Sequence, residues 1–280
     1  MKTKVKALAA ALTLLAAGQA NAAISDDNAL TSQFGGSGSG ELFLSVVNRG
    51  TGAESYVRDL GITASQFVNA NSTANNSVGT FNFGPDVNMT QLLSDATANG
   101  DTVSWNIAAA DNQYPPAPYG YLTTSPSTVT TSNTPVGIEG IAPKMTKLGS
   151  YVKAVNAAAN AATGASITDY AANNSVIVGS SDNAFYDGIN WGGSWAGPST
   201  EGKLGNSLGF YFVGVDPAIA TTGADQTVVS AFSGQWTLSA NGTLTYGAPA
   251  PVPLPPAVWL LGSALVGLVG VGRRRTGTAA

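Results

Sequence analysis

Prolines at positions 249, 251, 253, 255 and 256 set the limit of what this 280-residue chain can fold. Proline has no backbone N–H and a fixed φ, so proline at every second position supports neither a helix nor a strand inside a sheet. Residues 248–256 therefore read as an extended, solvated linker, and a folded domain must be finished before them. The segment after the prolines is equally restricted. Residues 257–272 are apolar apart from Ser263, and Arg273, Arg274 and Arg275 close the run ahead of a short tail to Ala280. As a helix such a run rises about 24 Å, short of the roughly 20 residues that cross a bilayer comfortably. Gly262, Gly267 and Gly270 weaken it further as a permanent span. The arginines place residues 273–280 on the cytoplasmic side and the preceding domain outside.

The other end has a matching logic. Lys2, Lys4 and Lys6 precede an apolar run from Ala7 to Ala17, and Ala20 and Ala22 supply small residues before a cut ahead of Ala23. Basic, apolar, small is the order of a secretory signal peptide, which takes in residues 1–22. The apolar run is too short for a lasting anchor. With both ends set aside, six Lys and Arg face all sixteen Asp and Glu, so the body carries a net charge of −10 rather than the −4 of the whole chain. An acidic body without an evident basic patch argues against nucleic acid as a partner.

Val252, Pro253, Leu254, Pro255 and Pro256, followed by Ala257-Val-Trp-Leu-Leu-Gly-Ser263, a glycine-dotted helix and the arginine cluster, closely resemble the VPLPA variant of PEP-CTERM sorting signals. Those signals occur on proteins of Gram-negative bacteria that make exopolysaccharide. Two departures stand out: Pro256 replaces the variant's alanine, and Thr276 to Ala280 continue past the arginines. The resemblance covers this terminal segment alone. It implies two processing partners, signal peptidase and an exosortase, and contact with the membrane through the C-terminal helix before processing. It also implies delivery to the cell surface or the extracellular matrix, with exopolysaccharide as the candidate partner there.

Between the two address segments lie a flexible lead-in, 23–40, ending in Gly35-Gly-Ser-Gly-Ser-Gly40, and a single domain, 41–247. Only 10% of the chain is charged and there is no cysteine, so stability must come from sheet pairing and packing without disulfides. β-Branched and aromatic runs predict strands at 41–47, 54–60, 78–83, 102–108, 175–178, 208–215, 227–232 and 234–239. A helix is expected from Asn88, as its cap, to Ala98, and a second from Lys144 to Ala162. Residues 111–137, rich in Pro, Tyr, Thr and Ser, read as irregular. Asn241-Gly242 predicts a type I′ hairpin that returns the last strand through 243–246. The expected fold is mainly β, an antiparallel sandwich or jelly-roll-like domain with two short helices.

No histidine and no cysteine occur anywhere in the sequence. That removes Ser-His-Asp and Cys-His nucleophilic systems and the usual zinc, copper and haem ligand sets. No cofactor is expected. Oxygen ligands remain, and Asp182 and Asp187 form a weak calcium candidate that lacks EF-hand spacing; an Asx-rich turn is the simpler reading. Tyr186, Trp191 and Trp195 share a glycine-rich loop and could stack on sugar rings, or else anchor the loop to the core. The chain is thus expected to be an exported structural or adhesive protein without catalytic activity. A lectin-like glycan-binding module is the first alternative. A carboxylate-dependent polysaccharide hydrolase is the second, requiring two acids about 5–10 Å apart across a cleft.

Overall fold

The computed structural model describes residue 24 and residues 40–71, 78–111, 119–133, 137–163, 175–187, 200–215 and 227–248, with 260 and 263. The chain divides into two units, Met1–Ala248 and Pro249–Ala280. The described residues of the first are mainly β, with three α-helices.

Strands β1 (Glu41–Asn48), β2 (Glu54–Thr63), β3 (Phe81–Phe83), β4 (Val103–Asp111), β5 (Tyr119–Ser125), β6 (Ser175–Gly179), β7 (Gly202–Lys203), β8 (Ser207–Val215), β9 (Thr227–Leu238) and β10 (Leu244–Gly247) join one antiparallel sheet. Its order is β3-β10-β9-β8-β5-β4-β1-β2-β6, with β7 paired to the start of β4. The sheet is curled. Residues from both halves of that path, among them Leu42, Leu44, Tyr56, Phe83, Trp105, Phe210, Trp236 and Tyr246, meet in one apolar cluster. Helices α1 (Ala64–Ala70) and α2 (Val87–Asn99) contribute Phe67, Met89, Leu92 and Leu93 to it. The opposite sheet face packs under the long helix α3 (Gly137–Thr163), which buries Ile141, Leu148, Tyr151, Val152 and Val155 against Phe43, Val47, Val57 and Val213. Successive residues of a strand point to opposite faces. β1 is therefore apolar on both, with Leu42, Leu44 and Val46 entering one cluster and Phe43 and Val47 the other.

Several local expectations need correction. A third helix, α1, follows β2 directly; Thr63 and Gln66 close a reciprocal capping box at its start. Helix α2 is capped by Asp86, whose side chain accepts from the Met89 N–H at 2.8 Å. Asn88 instead donates to Ser175 Oγ at 3.0 Å. α3 begins at Gly137, ahead of the expected Lys144, and runs through Pro143. Within the stretch expected to be irregular lies β5, a central strand between β4 and β8. Gly120 permits this: a Cβ there would stand 2.3 Å from the Val213 carbonyl oxygen. Residues 227–238 form one strand rather than two.

The terminal hairpin is present, with Leu238 opposite Leu244, but its turn is different. Gly242 N–H donates to Ser239 O at 2.9 Å, and Ser239 N–H to Thr243 O at 3.0 Å. The loop is therefore the three-residue Ala240-Asn241-Gly242, with Gly242 at φ 83° as the left-handed closing residue. Residues 1–22 and the expected sorting motif, 252–256, lie outside the described residues. Among the described residues no helix is long and apolar enough to cross a membrane.

Candidate functional site

The turn after β6 gathers most of the ligand candidates that fall on described residues. Asp182 Oδ1 accepts from the Ala184 N–H at 2.7 Å, an Asx turn that tightens the chain before Phe185 and Tyr186. Tyr186 is then drawn inward. Its N–H donates to Ser55 Oγ at 3.1 Å, its ring meets Tyr151 edge-on at 6.1 Å, and it is 1% exposed. Burial pushes its phenol well above the usual range. Tyr186 is thus a core anchor and offers no face to a sugar. Trp191 and Trp195 lie outside the described residues.

Asp187 is likewise committed. Arg49, in the β1–β2 turn, donates from Nε to Asp187 Oδ2 at 2.7 Å and from Nη2 to Oδ1 at 2.9 Å. The same guanidinium reaches Glu201 Oε2 at 2.9 Å and Oε1 at 3.0 Å. Both carboxylate oxygens of Asp187 are occupied by a cation, which is the wrong neighbour for a calcium ligand. Among the described residues no group of three or more acidic, His or Cys side chains could hold a metal. The arrangement is a clamp: Arg49 joins the chain before residue 188 to the chain after residue 199, and its guanidinium carbon sits 5.5 Å from the centre of the Tyr186 ring. Hydrogen bonding to Asp187 raises the Arg49 pKa, burial opposes that, and Glu201 adds to the rise.

The clamp makes a direct prediction. The Glu201 side chain is only 10% exposed, against 39% for Arg49 and 41% for Asp187. Arg49→Ala should cost about 2 kcal/mol, dominated by the loss of the cation facing Glu201, since the exposed Asp187 pair is solvent-screened. Arg49→Lys should recover less than half, because an ammonium cannot form two bidentate pairs at once. Urea denaturation of the three proteins measures this; an Arg49→Ala midpoint equal to that of the parent would refute it.

Two features were not anticipated from the sequence. Asp59, on β2, is 3% exposed and accepts from the Gly61 N–H at 2.7 Å. Burial pushes its carboxyl up to about 7, the charge of Glu41 adds to the shift, and the Gly61 bond and Arg58 pull the other way. It lies beneath the surface rather than in an open cleft, so it does not serve the hydrolase reading. The second feature revises the charge picture. Lys144, Lys147 and Lys153, half of the body's six cations, sit on α3, which carries no acid from Gly140 to Thr163.

Ala20, Ala22 and Ala23 of the expected leader cut, the expected motif Val252 to Pro256 and the arginines 273–275 lie outside the described residues. Of the apolar segment only Leu260 and Ser263 are described; Ser263 Oγ donates to Leu260 O at 2.9 Å. Comparison of the chain with protein-family models, with curated proteins and with solved structures finds no match.

Proposed function

We propose that this chain is an exported, exosortase-sorted protein of the cell surface or extracellular matrix, acting as a structural or adhesive component associated with exopolysaccharide and without catalytic activity. The observation that carries the reading is the order proline motif, short apolar segment, arginine cluster at residues 249–275. The position of the last strand supports it. β10 ends at Gly247, between β3 and β9, so every strand among the described residues precedes the first of these prolines. Cutting the chain at the motif would remove none of the described strands. The finer architecture in this reading is a sandwich-like roll, its two halves facing across the cluster that holds Phe67 and Trp236. A chain without His or Cys and with an acidic body suits a stable display domain better than a site for nucleophilic chemistry.

Intact-mass analysis of the protein recovered from the envelope or medium of the producing cell tests the assignment. The expected species starts at Ala23 and lacks everything beyond the proline motif. A mature protein that still carries Arg273 to Ala280 would overturn the sorting reading.

A further inference from the structure

The structure assigns Asn156 the role of a dock for Ile24, the second residue after the expected leader cut, so that the folded chain shields that cut until Ile24 is unseated. This rests on the reading of residues 1–22 as a leader. Asn156 spends both ends of its amide on one residue. Its Oδ1 accepts from the Ile24 N–H at 3.2 Å, and its Nδ2 donates to the Ile24 carbonyl at 3.0 Å. A side chain that takes the N–H and the C=O of a single residue does what a neighbouring strand does in a sheet. The two residues are 132 positions apart, so this is a tertiary device and no local turn.

The side chain completes the dock. Ile24 is 2% exposed, within the cluster that contains Val152, Val155 and Ala159 of α3. Those residues stand four and one positions before Asn156 and three after it, on one face of the helix. An amide in mid-helix flanked by that face has an apolar recess beside it and a backbone-matched donor and acceptor at its rim. Asparagine is a poor helix former, and its use here is explained by the residue it holds.

The shielding is set by distance. The expected cut, between Ala22 and Ala23, lies one residue from the docked isoleucine. An extended chain gains about 3.5 Å per residue, so a seated Ile24 would hold the scissile bond within roughly 5 Å of the folded surface. A protease that grips an extended segment on both sides of the bond has no room there. Cutting and docking therefore exclude one another: a seated Ile24 shields the expected cut, and cleavage draws on the precursor in which Ile24 is unseated.

Signal-peptidase cleavage of the full-length precursor tests this, with the precursor folded and then denatured. Folded Asn156→Ala and Ile24→Asp precursors should be cut about tenfold faster than the parent, the gain in exposed population expected from losing the docking contacts. All three should be cut at equal rates when denatured. Equal rates in the folded state would overturn the proposal. A double-mutant cycle on the mature protein guards against a merely destabilised α3. With Ile24→Asp already expelling the terminus, adding Asn156→Ala should change neither midpoint nor aminopeptidase trimming; additive effects would mean that Asn156 acts elsewhere. If the exported protein does not begin at Ala23, the leader reading fails by mass, and the cycle still decides whether Asn156 holds Ile24.

Discussion

Asp59→Asn is expected to stabilise the domain by up to about 4 kcal/mol at pH 8 and to leave it nearly unchanged at pH 4. The sign comes from the direction of the shift. Folding raises the Asp59 carboxyl from its ordinary range to about 7, so between these values the folded state binds a proton that the unfolded state has released. Stability from this group is fully present below the unfolded value and is lost as pH rises through about 7. At alkaline pH the folded protein carries a carboxylate that is 3% exposed, near Glu41, with Arg58 offsetting part of the cost. Asparagine keeps the Oδ1 that accepts from the Gly61 N–H and removes the charge. Urea midpoints at pH 4, 6 and 8 for parent and variant decide the matter. The parent should weaken across this range relative to the variant, and parallel curves would sink the claim.

Asp59 also marks where sequence reasoning ran out. In Glu54-Ser-Tyr-Val-Arg-Asp-Leu60 it occupies an alternation slot like that of Val57, yet an acid in such a slot is usually solvated. Its burial depends on what covers the β1–β2 pair, which no local pattern states. Strands with clean β-branched or aromatic content, such as β1, β2 and β8, were legible because a side chain that fits a pleated, half-buried surface is a local property. β5 was hidden by Gly120 and its proline-rich approach. Its reason for being a strand is the backbone of β8, residues 209–215, almost a hundred positions away. α1 was hidden for a related reason, since seven residues are too few to announce a helix by period. The hairpin was legible in position and wrong in turn type, because Asn-Gly suits both loops and only the Ser239 bonds choose between them. For the candidate site, Asp182 was legible as an Asx turn. Arg49 was not, although it is one of two arginines in the body; its partners lie more than 130 residues away.

Phe67→Ala should be the most damaging single truncation inside the curled sheet, costing about 4–5 kcal/mol. Phe67 is 0% exposed. Its ring lies 4.9 Å from Phe210, 5.0 Å from Tyr246, 5.1 Å from Phe232, 5.7 Å from Phe81 and 6.0 Å from Trp236. Those five rings come from β3, β8, β9 and β10, while Phe67 itself comes from α1 beside β2. One side chain thus ties one end of the curled sheet to a helix anchored at the other. Removing it leaves a cavity that rigid aromatic neighbours cannot fill by small shifts. It also releases α1, because a helix of seven residues has no independent stability in water and holds only by packing. The capping box of Thr63 and Gln66 fixes where the helix starts without supplying what keeps it down. Phe67→Leu should cost far less, about 1–2 kcal/mol, since most of the volume stays. Two measurements separate this from general weakening. In Phe67→Ala the amides of Ala64–Ala70 should lose hydrogen-exchange protection well before those of β1. The near-ultraviolet signal from the Trp236 environment should fall while the far-ultraviolet sheet signal persists below the midpoint. Uniform loss of protection across α1 and β1 would mean that Phe67 is one core residue among many and not the tie between the two halves.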